Sequence, residues 1–335
     1  MMSPYLSAIL DNQPPAALTG ENQHLRWTFL ADGVLLFEPH HPPVKHVILS
    51  AGVHGNETAP VEILCRHVDA LLAGEMTLQV RLLVILGNLA AMKTDQRFID
   101  VDLNRLFSGQ HRSYEAGEDT RRAALLEQYT TDFFAGTPAS ARFHLDLHTA
   151  IRESHYVRFG VLPVLNENTV RSGFFDQLLA MGLEALVVNP VPGGTFSYYT
   201  ADVHGAQSCT LELGKARPFG TNDLSQFQAA DRGLANLIHG RNDVSAVRPA
   251  VKIFRVCQEL KKYSGQFYFP EIDDDVKNFS RFQQGMLIAQ DGEVEYRVEH
   301  EFEWLIFPNA GVRNGLRAGM MLEEMTLDQF SCSPD

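Results

Sequence analysis

His54 and Glu57, in the run SAGVHGNETAP at residues 50–60, place an imidazole and a carboxylate three residues apart where a strand-like stretch gives way to a helix-like one. Both groups are good zinc ligands, and a catalytic zinc site takes three protein ligands with a fourth position open for water. Alone, the pair also fits a solvated helix turn, so it needs a third partner. His148, closing the stretch ARFHLDLHTA, supplies one if the two strand ends lie together; by itself it reads equally as a hydrogen-bonded structural histidine. His144, four residues earlier, lies too far from the strand end for a ligand, and His155, beyond a loop, stays open.

Metal-activated water also needs a base and a place for developing negative charge. Glu212 stands among apolar neighbours in SCTLELG, where a buried carboxylate is costly unless it pairs or works. A salt bridge to Lys215 or Arg217 is the plainer reading. The run RFIDVDLNRLF, residues 97–107, gathers two arginines, two aspartates and an asparagine. Asn104 and Arg105 would suit a substrate carboxylate, because a guanidinium binds it through two parallel N–H bonds and an amide donates beside it. The same charges could instead form a solvated loop network.

These side chains must be positioned by elements, and the hydrophobic pattern supplies them. Apolar, β-branched runs at 46–51, 81–87, 142–147, 156–162, 185–188 and 209–213 read as buried strands. Helical periodicity appears at 60–72, with Pro60 in the first turn, at 119–134, at 168–181, and from Asn222 or Asp223 to His239 before Gly240. Strands alternating with helices predict an α/β domain with a parallel or mixed sheet, whose ligands sit beyond the carboxyl ends of the strands. RNDVSAVRP, from Arg241, reads as a linker, and from Val251 short strands and turns without a helix predict a compact β-rich second domain. The expected division is 1–243 and 244–335.

Composition narrows the partners. With 335 residues and a formal net charge of −13, the chain has room for one large and one smaller domain, and no Lys/Arg block that nucleic acid or an anionic membrane would require. Its four cysteines, Cys65, Cys209, Cys257 and Cys332, are scattered and form no CxxC pair, which suits a reducing cytoplasm. No apolar run is long enough to span a bilayer, and the first residues lack the basic start and apolar stretch of an export signal.

Together, HGNE at 54–57, DVDLNR at 100–105, DLHT at 146–149 and LELGKARPFG at 211–220 resemble the signature blocks of the succinylglutamate desuccinylase and aspartoacylase family, in the family's order. The resemblance implies a zinc-carboxypeptidase-like α/β fold, a mixed central sheet flanked by helices, with a smaller C-terminal β-rich domain. It implies one Zn²⁺ per chain held by His54, Glu57 and His148, with Glu212 as general base and proton shuttle. Arg97 would polarise the scissile carbonyl, Asn104 and Arg105 would hold a substrate carboxylate, and Asp102 would orient the first zinc histidine. The implied substrate is a small anionic N-acyl amino acid. The block RPFG followed by Asn222-Asp223 points within the family to hydrolysis of N-succinyl-L-glutamate, as in the last step of arginine catabolism by the succinyltransferase route. An aspartoacylase-like deacylase of another N-acyl amino acid, a peptide-cleaving zinc carboxypeptidase and a non-catalytic zinc or amino-acid binding protein are the alternatives. Arg152, Lys215 and Arg217 are candidates for the remaining substrate carboxylates, and homo-oligomerisation stays open.

Overall fold

Strands whose residues are apolar on both faces form the middle of one large mixed sheet, as buried strands must when helices cover both sides. The computed structural model describes residues 2–164, 170–241, 250–270, 272–273, 275–330 and 332–333. Across the 13-stranded sheet the order is Thr19–Glu21, Leu25–Ala31, Val34–Pro39, Arg81–Leu86, His46–Ala51, Arg142–Ala150, Gln207–Lys215, Phe159–Pro163, Ala185–Asn189, Lys252–Lys261, Arg317–Met325, Phe302–Ile306 and Ser280–Gln283. Arg81–Leu86, His46–Ala51, Arg142–Ala150 and Gln207–Lys215 run parallel, so their carboxyl ends open on one edge of the fold.

Alternation along His46–Ala51 divides the core. Val47, Leu49 and Ala51 pack with Val61, Leu64 and Val68 of the helix Thr58–Leu72, and with Leu178 and Leu234 of the helices Ser172–Ala180 and Gln228–Ile238. Ile48 and Leu83 point the other way, towards Leu126 and Phe134 of Glu118–Phe134 and Phe196 of Phe196–His204.

The six expected strands and the helices at 60–72 and 119–134 lie close to their predicted bounds. The helix expected at 168–181 spans Ser172–Ala180, and residues 165–169 lie outside the described part. The last helix begins as a 3₁₀ turn, Leu224–Phe227, where the Asp223 side chain accepts from Ser225 N (3.2 Å), and becomes α-helical at Gln228. The pattern did not disclose the N-terminal antiparallel strands, the short helices Pro4–Leu10 and Leu89–Lys93, or the helix Phe196–His204. The last, FSYYTADVH, is aromatic and β-branched, a composition that favours strand. Its ends decide otherwise: Thr195 Oγ1 caps Tyr198 N (3.2 Å), and Gly205 closes it with φ +60°.

The expected linker falls largely on 242–249, outside the described residues. Beyond it the chain is β-rich as read, with the correction that two strands are long and that Lys252–Lys261 pairs in parallel with Ala185–Asn189. The C-terminal strands therefore extend the main sheet. Cys332–Ser333 returns to pair with Val170–Arg171, and the Phe330 ring stands 5.2 Å from that of Phe175. Among the described residues no helix is long and apolar enough to cross a membrane.

Candidate active site

Three adjacent parallel strands deliver the chemistry at one edge. In their register Ser50 lies beside Asp146, and His148 beside Glu212. The chain leaves His46–Ala51 through Gly52, whose φ of +67° suits glycine and whose Cβ would collide with Met92 and Val61. Gly55 then lies against the 91–96 backbone: a Cβ there would come within 2.3 Å of the Ala91 carbonyl carbon, and Gly55 N donates to Arg97 O (3.1 Å). The glycine of HGNE thus fastens the ligand loop to the segment bearing Arg97. Glu57 immediately precedes Thr58–Leu72, where the helix N-terminus favours a carboxylate.

His54, Glu57 and His148 are buried, and one ligand atom from each lies within 4.8 Å of the others. Glu57 stands between the rings, with Oε1 2.9 Å from His54 Nδ1 and Oε2 2.9 Å from His148 Nδ1. Each ring's far nitrogen meets an aspartate: His54 Nε2 is 2.9 Å from Asp102 Oδ1, and His148 Nε2 is 2.8 Å from Asp146 Oδ2. A proton on each Nε2, donated to its aspartate, would leave Nδ1 free to ligate a metal. His54 Nδ1 is buried without a hydrogen bond despite its closeness to Glu57. Two lone-pair donors and a carboxylate converging around a hydrogen-bond orphan fit a dication, and His/Glu/His sets accept zinc and also cobalt.

The charges of this cluster hold one another. Burial alone would raise the Glu57 carboxyl, but His54 and His148 keep it well below the usual range. Asp102 is likewise held low against burial, by His54 and then Arg105. Burial disfavours the His148 cation, yet Asp146 and Glu57 raise its pKa well above normal, so a metal binding there displaces a proton. Glu212 goes the other way: burial, reinforced by Glu57, pushes its carboxyl up to about 7, with His148, His54 and Arg97 opposing. Its Oε2 is buried without a partner. The alternative salt bridge is not made, since Lys215 pairs with Glu153 at 3.6 Å.

Asp119 folds the neighbouring loop. Its Oδ2 accepts from the backbone N–H groups of Ile99, Asp100 and Val101 at 3.2, 2.5 and 2.8 Å, while Asn88 donates to Oδ1 (2.6 Å). Asp102 Oδ1 then accepts from Asn104 N (2.9 Å) as well as facing His54. Arg97 Nη1 donates to Glu57 Oε1 (2.9 Å), and Arg105 Nη1 to Asn104 O (2.7 Å). Asn104 Oδ1 accepts from Phe196 N (2.9 Å), so the amide presents its nitrogen as a donor. Both arginines remain partly exposed at the mouth of the site.

Sequence reasoning missed the groups behind His148. Asp146 Oδ1 accepts from Ser50 Oγ (2.5 Å), Ser50 lies 2.8 Å from His144 Nε2, and His144 Nδ1 lies 2.8 Å from Thr200 Oγ1. Burial lowers the His144 pKa to about 4, and a neutral ring with its proton on Nε2 satisfies both neighbours. The available signal was the strand period, which puts His144, Asp146 and His148 on one face. His155 instead lies against the C-terminal part of the chain, its backbone N–H donating to Asn278 O (3.0 Å). Arg152 donates to Val276 O (3.0 Å) and Pro308 O (3.3 Å) of the C-terminal strands' loops, and Arg217 is exposed. A further cation comes from those strands. Arg317, 3.3 Å from Glu259 Oε1, has its pKa lowered to about 10 by burial and by the charge of nearby Arg105.

Residues 43–238 match the family described as the succinylglutamate desuccinylase/aspartoacylase catalytic domain, and residues 249–325 match the AstE/AspA barrel-sandwich hybrid domain. The succinylglutamate desuccinylase of Serratia proteamaculans is 47% identical over 319 residues, covering 95% of this chain and 97% of the relative. That of Yersinia pseudotuberculosis is 44% identical over 324 residues, with 97% and 98% covered. The X-ray structure of the Vibrio parahaemolyticus enzyme superposes with a TM-score of 0.90 at 30% identity, covering 96% of this chain and 95% of that one.

Proposed function

The chain belongs to the succinylglutamate desuccinylase/aspartoacylase family, and on that premise we propose how its residues carry out the reaction. It is a hydrolase that converts N-succinyl-L-glutamate and water to succinate and L-glutamate, in keeping with relatives of that name matched over nearly the whole chain. The observation that carries the mechanism is the pair of buried atoms without hydrogen bonds, His54 Nδ1 and Glu212 Oε2, on the same strand edge.

His54, Glu57 and His148 would hold one Zn²⁺, the two imidazoles oriented by Asp102 and Asp146. A zinc ion so held activates water and polarises a carbonyl oxygen. Glu212 takes the proton from the attacking water as it adds to the amide carbon. A carboxyl poised near neutrality can accept that proton and return it, so Glu212 then protonates the departing amine nitrogen. The Arg97 guanidinium turns from Glu57 to the developing oxyanion, where fixed positive charge stabilises the transition state. Asn104 Nδ2 and Arg105 receive one substrate carboxylate, and Arg317 receives another. Residues 1–243 form the catalytic domain and 244–335 the β-rich domain that narrows its entrance. Four scattered cysteines with no CxxC pair suit a cytoplasmic location.

The test combines metal analysis with release of a primary amine from a panel of N-acylated amino acids. Succinylglutamate should be cleaved fastest, with one zinc bound at the His54 centre. Preference for N-acetylaspartate, or for unstructured peptides, would replace this reading with an aspartoacylase-like or carboxypeptidase one.

A further inference from the structure

The C-terminal strands carry a second group of donors that the hydrolytic site does not use. Cys257, His300 and Glu303 offer a thiol, an imidazole and a carboxylate whose ligand atoms all lie within 4.8 Å of one another. Their placement follows from the sheet. Val256 pairs with Leu322 and Gln258 with Met321, so Cys257 is the extra residue of a bulge, the irregularity that re-aims a side chain. Glu303 lies on Phe302–Ile306, separated from Cys257's strand by Arg317–Met325.

Glu303 is fully buried. Its Oε1 accepts from Glu299 N (2.8 Å) and His300 N (3.0 Å) and lies 2.9 Å from His300 Nδ1, while Oε2 is buried with no hydrogen-bond partner. A carboxylate oxygen withdrawn from water and left unpaired is costly, and such groups in folded proteins call for a partner. Glu323 Oε2 stands 3.6 Å from His300 Nε2, on the ring edge away from Glu303, where it can orient the imidazole. His300 is about half exposed, which gives an ion a route in from solvent. A thiol beside an imidazole and carboxylates selects zinc, or cobalt in its place, over the hard cations that prefer oxygen alone.

We propose that Cys257, His300 and Glu303 form a second, structural site for a zinc-like dication that ties the bulged strand to Phe302–Ile306. Binding would exchange the Cys257 S–H for a sulfur–metal bond and release one proton to solvent. Because the thiol must give up its proton to bind, affinity should fall as pH falls. This inference is independent of the hydrolytic reading.

Cobalt loading of the full-length chelator-stripped protein tests it, because the His54–Glu57–His148 set contains no sulfur. Only a thiolate site gives a sulfur-to-cobalt charge-transfer band. Wild type should bind two equivalents of cobalt and show the band; Cys257→Ser should bind one, lose the band and keep its hydrolase activity. Should Cys257→Ser fold poorly, His300→Asn, altered at a half-exposed position, should likewise lose the second equivalent and perturb or abolish the band. The double variant His54→Ala/Glu57→Ala should do the reverse, keeping the band without activity. One equivalent and no band in wild type, or a band that survives Cys257→Ser, overturns the proposal.

Discussion

Glu212 and the two aspartates behind the histidines divide the work at the level of single residues. Glu212→Gln removes the proton acceptor but none of the ligand atoms, so bound metal should stay near wild-type content while kcat falls about 10²–10⁴-fold. Turnover within a few-fold of wild type would end the general-base role. Asp146→Asn acts differently, since it leaves the ligand atoms in place and loosens the hold on His148 Nε2. Zinc affinity should drop about 10–100-fold, with much of kcat recovered when the metal is saturating; competition with a chelator measures the first and added zinc the second. His54, Glu57, His148 and Glu212 stood out in the sequence as candidates because ligand and base chemistry restricts residue type, and the fold brings them together. Asp146 stands inside the same DLHT block, yet its role emerges only once the strand's face and its Ser50 and His144 neighbours are known.

At the scale of elements, the site depends on a loop that has no regular structure and is shaped by one buried carboxylate. Three backbone N–H groups converge on Asp119 Oδ2, so Asp119→Ala would orphan them and free the 97–105 segment. The expected result is a loss of about 2–4 kcal/mol in urea unfolding, about 1 kcal/mol for each of three partly buried unpaired donors, together with a raised KM. Unchanged stability and KM would mean that the loop is held elsewhere. The helix Phe196–His204 contributes a pH dependence. Burial, then Arg142, lowers the His204 pKa to about 4, so the unfolded chain binds a proton near pH 6 that the folded chain refuses. Stability should therefore be complete above about pH 6.5 and fall towards pH 4. His204→Gln should remove about 1–2 kcal/mol of that fall, less than full linkage because solvent screens the ring; urea midpoints at pH 7 and 4.5 would show it. Uniformly apolar strands announced themselves in the sequence, whereas this aromatic helix did not, because capping and tertiary packing overrode its composition.

For the molecule as a whole, the continuous sheet joins the C-terminal strands to those that carry the candidate site. Lys252–Lys261 pairs with Ala185–Asn189, and Arg313 Nη2 reaches Asp100 O (3.3 Å) in the loop that carries Arg105. Alternating patterns could reveal that the second half of the chain is β-rich, but the junction is set by pairing between residues more than sixty positions apart. That pairing brings Arg317 into the field of Arg105, and two guanidiniums held near each other repel unless an anion lies between or beside them. N-succinyl-L-glutamate carries three carboxylates, more than Asn104 and Arg105 can receive. Arg317→Met keeps an unbranched apolar stem and removes the charge and the N–H donors. It should raise KM for succinylglutamate about 10–100-fold, the range for one charge-assisted hydrogen bond of about 1.5–3 kcal/mol, while kcat and zinc content change little. The loss should shrink for N-acetyl-L-glutamate if Arg317 grips the succinyl carboxylate, and persist if it grips the glutamate. An unchanged KM for both substrates would remove Arg317 from the binding site and leave it as the partner of Glu259 alone.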